Sequence, residues 1–327
     1  MPLPPLAELS LRLGRATVTA KRERARGELP AHWPLKYAAL VHVMRGILRD
    51  ASAAEPAHGR AMLDRLAVPA SLVPGVRTRS VQFDGLSATW FTPQGDRARS
   101  HRCVLFLHGG GYQLGSVRSY AQLIASLCRQ ADLPVFAIDY RLAPEHPYPA
   151  ALDDALAAVR ELRRLGFTNI GLCGDSAGGH LALSTALALR DGHLPPPTAL
   201  ALMCPWLDMA TERPSRTGNL PFDVLPAGVG SVWARQFCGK QDPRSPEVSP
   251  INANLSGLPP CLVQVGERET LRDENYEFAE RARQAGSAVS LTGYPEMVHD
   301  FHFFEALGVP EAKRAMRELG AFLRDTV

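Results

Sequence analysis

Residues 169–179 read Asn-Ile-Gly-Leu-Cys-Gly-Asp-Ser-Ala-Gly-Gly, followed by an Ala/Leu-rich stretch to about Arg190. No other stretch restricts the fold as tightly. A short apolar strand must pass into a helix through a turn that holds Ser176 at positive φ, at a cost in backbone strain. The residues two before and two after then come too close for side chains, and both are glycine, Gly174 and Gly178. The helix that follows aims its N-terminus at the serine, so the Ala177 amide faces any oxyanion formed there. A glycine-rich turn alone occurs by chance, but strand, sharp turn and helix in sequence form a nucleophile elbow.

The flanking sequence supplies the sheet that such an elbow needs. Val81 and Phe83, then Ala88, Trp90 and Phe91, predict two strands joined at Asp84-Gly85, a hairpin turn. Residues 102–107 form a continuous apolar run, as expected of a strand buried on both faces. Helices are expected over 120–131, 150–165, 273–285 and 310–324, and strands over 135–138, 200–203, 261–265 and 288–291. The alternation implies a mostly parallel sheet of eight strands wound on both sides by helices, an α/β fold.

Two regions break the alternation. Residues 1–70 show no strand pattern. They predict a short helix through Leu11, Leu13 and Val18, a solvated charge run at 21–26, and helices over 33–49 and 59–66. Residues 207–258 carry six prolines and one helical stretch over 228–237, so they read as an insertion between two core strands. The expected organisation is an N-terminal helical segment (1–70), a first core part (71–206), the insertion (207–258) and a second core part (259–327).

The chain's 327 residues are 46% hydrophobic and 21% charged, a globular composition. A net charge of +3, with lysine only at 21, 36, 240 and 313, gives no footprint for nucleic acid. The six cysteines form no C-x-x-C pair or metal-ligand spacing, and the expectation is buried reduced thiols in a cytoplasmic protein. No signal peptide and no apolar run of membrane-spanning length is evident.

In an open α/β sheet the reacting groups collect at the carboxyl ends of the strands. Four features fall there. Ser176 is the first. His108-Gly109-Gly110-Gly111, after the third strand, presents side-chain-free backbone, and the amides of Gly109, Gly110 and Ala177 are the expected oxyanion donors. An acidic stretch past the seventh strand offers Glu267, Glu269 and Asp273. His299 and His302 follow the last strand. A serine hydroxyl is a poor nucleophile until a neutral imidazole takes its proton, and a carboxylate fixes that imidazole's tautomer. The chain order Ser, acid, His is that of the α/β hydrolases.

The stretches His108–Tyr112, DYRLAPEHPYP at 139–149, GDSAGG at 174–179 and Leu271-Arg272-Asp273-Glu274 resemble the bacterial hormone-sensitive-lipase-like carboxylesterases from about residue 75 onward. The resemblance implies an α/β-hydrolase core with a helical cap made of the N-terminal helices and residues 207–258. It also implies hydrolysis of short- to medium-chain acyl esters without metal or organic cofactor, and a homodimer paired through C-terminal strands. Where the family has Asp-Pro-Leu-x-Asp-Glu, this chain has Glu269-Thr270-Leu271-Arg272-Asp273-Glu274, so Glu269 takes the place of the acid, with Glu267 and Asp273 as substitutes. His299 takes the place of the base. It is followed by Asp300 rather than the family's glycine, a negative charge expected to raise the imidazole's pKa. Tyr112, Trp206, Phe222 and Trp233 are candidate pocket residues, and His180 is expected to be structural. A hydrolase-fold binding protein and an amidase are the alternative readings of the same chain.

Overall fold

The computed structural model describes residues 5–94 and 101–327. Residues 1–4 of the expected N-terminal segment and 95–100 of the expected core lie outside them. The chain opens with three helices, α1 (Pro5–Ala25), α2 (Leu35–Ala53) and α3 (Pro56–Leu66). A hairpin follows, β1 (Val76–Phe83) and β2 (Leu86–Pro93), closed by Asp84 and Gly85. Both turn residues have positive φ, the two-residue geometry whose twist matches that of the strands. The alternating part comprises β3 (Arg102–Leu107), α4 (Ala121–Ala131), β4 (Val135–Ile138), α5 (Ala150–Arg164), β5 (Asn169–Asp175), α6 (Ser176–Asp191) and β6 (Ala199–Met203). Between β6 and β7 (Cys261–Gly266) runs the inserted segment, with α7 (Pro214–Gly218) and α8 (Val229–Cys238). The chain ends with α9 (Arg272–Gln284), β8 (Val289–Tyr294) and α10 (Pro310–Thr326).

The strands make one eight-stranded sheet in the order β1-β2-β4-β3-β5-β6-β7-β8. Only the β1–β2 and β2–β4 pairings are antiparallel. The period of two along the strands divides the core. Leu105, Leu107, Leu172, Leu200 and Val263 face the layer containing α5, α6 and α9. Val104, Phe106, Cys173, Ala201 and Leu262 face α4 and α10. In α10, Ala312, Ala315, Met316, Leu319 and Leu323 are buried at helical spacing.

Three sequence expectations need adjustment. α1 is longer than the short helix expected and takes in the charge run as far as Ala25, with Lys21, Arg22, Arg24 and Arg26 exposed as expected. Glu23 there meets His42 of α2 at 2.8 Å, and Arg24 donates to the Trp33 carbonyl. α7 was not anticipated, because five residues are too few to carry a period. β8 extends three residues beyond its expected end, as its pairing with β7 continues to Tyr294. A third apolar cluster joins Trp33, just before α2, and Tyr37 and Val41 of α2 to Tyr294, Val298 and Phe301. It seats α2 directly on the loop that carries His299.

Candidate active site

The elbow adopts the geometry its glycines require. Ser176 has φ 51 and is buried at the junction of β5 and α6. A Cβ on Gly174 would lie 2.4 Å from the Gly178 backbone, and one on Gly178 would lie 2.0 Å from the Leu107 carbonyl oxygen. Tyr112, Cys204 and Asp300 also lie in the left-handed region. Strain of this kind persists only where surrounding structure over-determines it.

His299 Nε2 lies 3.0 Å from Ser176 Oγ, within hydrogen-bond distance. Its Nδ1 faces Glu269 Oε2 at 3.7 Å, longer than a hydrogen bond, and has no other partner among the described residues. Glu269 is fully buried, and burial pushes its carboxyl up to about 7 against the opposing pull of His299 and Cys204. Asp300 Oδ2 is 3.1 Å from His299 Nε2, the same nitrogen that faces the serine. Burial by itself would push the imidazole down, but Asp300, Cys204 and Glu269 overcome it and hold the imidazole well above its ordinary value. Asp175 also faces this group electrostatically.

The other acids are committed elsewhere. Glu267 accepts from Arg272 Nε at 2.6 Å and from the Tyr276 hydroxyl. Asp273 accepts from the Ser215 amide at 2.8 Å and pairs with Arg272 in the first turn of α9. His302 meets Gln264 Oε1 at 3.0 Å, and burial pushes its ring down to about 3. His180 Nδ1 lies 2.6 Å from the Tyr112 hydroxyl, and its Nε2 donates to the Val248 carbonyl at 2.9 Å, a structural arrangement.

The glycine loop requires one correction. The Gly109 amide is not free, because it donates to Asp175 Oδ1 at 2.9 Å. A Cβ at Gly109 would meet Asp175 Oδ2 at 2.3 Å. Gly110 and Gly111, not Gly109, border the space beside Ser176. The sequence assigned Gly109 and Gly110 to the oxyanion and could not show that the acid before the serine engages the first. Asp175, whose other oxygen accepts from Tyr120 Oη at 2.8 Å, thus clamps the loop to the elbow. The motif at 139–149 braces the loop from behind. Tyr140 stacks on His108 at 4.4 Å and donates to its carbonyl, while Arg60 of α3 donates to the carbonyls of Gln113 and Ala143.

Two cavities meet at Ser176 and Trp233. The larger, about 360 Å³, is walled by apolar residues of the N-terminal helices, including Leu13, Met44, Leu48 and Leu63, with Asp300 as its one carboxylate among the described residues. The smaller, about 210 Å³, is lined by Trp206, Glu212, Arg216 and Leu271. Trp206 and Trp233 therefore border substrate-sized space. Tyr112 and Phe222 do not. Tyr112 stacks on Phe237 at 3.8 Å beneath α8, and Phe222 packs against Trp33 under the Arg268 guanidinium. Aromatic residues at these positions carry no sequence mark that separates lining from packing.

Residues 104–303 match a family model described as the alpha/beta hydrolase fold. The chain is 40% identical over 242 residues to an acetyl-hydrolase of Streptomyces hygroscopicus, covering 73% of this chain and 79% of that protein. It is 34% identical over 284 residues to the carboxylesterase NlhH of Mycobacterium tuberculosis, covering 81% and 88%. Among solved structures it is similar to an esterase from the bacterial hormone-sensitive lipase family, with TM-score 0.79, 34% identity and coverage of 88% of this chain and 97% of that one.

Proposed function

This chain belongs to the α/β-hydrolase-fold carboxylesterases of the bacterial hormone-sensitive lipase family, and on that premise we propose that it cleaves short- to medium-chain acyl esters through Ser176, His299 and Glu269. The observation that carries the triad is the 3.0 Å approach of His299 Nε2 to Ser176 Oγ, with Glu269 buried behind Nδ1. Ser176 Oγ bonds to the ester carbonyl carbon as His299 takes its proton. The carbonyl oxygen becomes an oxyanion held by the amides of Gly110, Gly111 and Ala177. Each such donor is typically worth about 3 kcal/mol. The imidazolium then gives its proton to the leaving alcohol as the ester C–O bond breaks, leaving an acyl-enzyme. Water repeats the sequence in reverse and frees the acid. Glu269 stabilises the imidazolium in both halves.

The α1–α3 helices and the inserted segment act as a cap. The apolar cavity beneath them suits the hydrocarbon of an ester of modest length. Six free, buried cysteines suit a cytoplasmic enzyme, and the open edge of β8 suits pairing with a second copy. Among the described residues no helix is long and apolar enough to cross a membrane.

The test is hydrolysis of p-nitrophenyl butyrate. Ser176→Ala is expected to lower kcat by about six orders of magnitude, and a fluorophosphonate probe should label the wild type but not the variant. Equal rates would remove Ser176 as nucleophile.

A further inference from the structure

Asp223 lies in the inserted segment and is completely buried. Its two carboxylate oxygens serve different loops. Oδ1 accepts from the His299 amide at 2.9 Å and from the Val224 amide at 2.8 Å. Oδ2 accepts from both the amide and the hydroxyl of Thr270, each at 2.8 Å. Thr270 directly follows Glu269, so one carboxylate spans the neighbour of the acid and the backbone of the base itself. The same segment holds the acid's loop a second time, because Asn219 Nδ2 donates to the Glu269 carbonyl at 2.8 Å. Arg45 of α2 in turn grips the segment, donating to the carbonyls of Asp223 at 2.7 Å and Pro221 at 2.8 Å.

Resting on the triad assignment above, we propose that Asp223 is a positioning residue: a brace, supplied from outside the α/β core, that fixes the spacing of the Glu269 and His299 loops. β7 and β8 are neighbours, but their pairing ends at Gly266 and Tyr294, before either catalytic group. Beyond it, the Arg268 amide donates to the Met297 carbonyl at 2.8 Å, upstream of both. Asp223 accepts from the acid's neighbour and from the backbone of the base at once. A fully buried carboxylate is retained only where donors compensate its desolvation, and here four donors converge on it.

Asp223→Asn discriminates a positioning role from mere packing. An amide has one acceptor oxygen. Kept toward His299, it satisfies two amides and turns its NH2 against the Thr270 N–H, which loosens the acid's loop and leaves the base in place. A misplacement of about 1 Å costs on the order of 100-fold. The expected result with p-nitrophenyl butyrate is therefore a kcat lowered about 100-fold with KM little changed. Fluorophosphonate labelling of Ser176 should slow in parallel. The acid limb of the pH profile should move down, because a poorly aligned Glu269 supports the imidazolium less. A folded Asp223→Asn enzyme with wild-type kcat and an unmoved limb overturns the proposal, as does a variant that loses only thermal stability. If Asp223→Asn does not fold, Thr270→Val decides. It removes one donor from Oδ2, with an expected loss of about 5-fold in kcat, the kinetic equivalent of one ordinary hydrogen bond. Wild-type kcat in that variant overturns the brace. Ser176→Ala, measured alongside, separates the two readings. If it stays active, the triad fails and the brace with it. If it is inactive while Asp223→Asn has wild-type kcat, only the brace fails.

Discussion

The turn that presents Ser176 and the pair of loops that present Glu269 and His299 are built on opposite principles. The serine's position is a local property. Two glycines at fixed offsets, a left-handed serine and a helix that starts on the serine itself set where the hydroxyl points, and the Gly178 backbone, 2.4 Å from where a Cβ on Gly174 would stand, leaves Gly174 no alternative. The imidazole's position is non-local. Its loop is seated on Trp33 and Tyr37 from the start of the chain, tied through its amide to Asp223 in the insertion, and faced by an acid from another strand. A serine placed by chain geometry tolerates little change nearby. An imidazole placed by packing is exposed to changes far away.

That difference is open to attack at several points. The largest effect is expected where the imidazole depends on its acid. Glu269→Gln should lower kcat by about 10⁴-fold, because an amide can hold the wrong tautomer of His299. A steady-state assay on p-nitrophenyl butyrate measures this, and retention of more than a tenth of wild-type kcat would return Glu267 or Asp273 to consideration. Next comes the local side. Gly178→Ala adds a methyl 2.0 Å from the Leu107 carbonyl oxygen. Backbone must shift, with a destabilisation of about 3 kcal/mol read from the urea midpoint and loss of activity in whatever still folds. A stable, active Gly178→Ala would show that the turn is less strictly determined than its φ values indicate.

The smallest effect is a shift in pH dependence. The reaction needs a neutral imidazole, and Asp300 beside Nε2 raises the pKa of His299. The acid limb of kcat/KM therefore lies higher than it would without that charge. Asp300→Asn removes the charge, so the limb should move to lower pH by about 1 unit. Activity should gain most below the wild-type limb and converge with wild type above it. A pH profile with an unmoved limb would show that the Asp300 carboxylate turns away from the imidazole in the working enzyme.

The elbow, the glycine loop, the order of serine, acid and histidine and the eight-strand alternation were all legible in the chain. Each rests on residues close in sequence whose spacing has one geometric solution. Glu269 was legible only as one of three acids. What singles it out is burial against His299, whereas Glu267 and Asp273 are taken by Arg272, which no spacing reveals. The Gly109 amide was assigned to the oxyanion because its engagement by Asp175 links two strands far apart in sequence. Asp223 went unnoticed for the same reason. It sits in a proline-rich stretch without period, and its partners lie 47 and 76 residues away.

By itself the sequence determined the sheet and the turn, since backbone sterics and hydrophobic period act over a few residues and leave one answer. Tertiary structure decided which acid meets the imidazole, which glycine amides stay free and which carboxylate braces the catalytic loops. Those outcomes depend on who reaches whom across strands, and a buried polar group takes whichever partner the folded packing brings within hydrogen-bond distance.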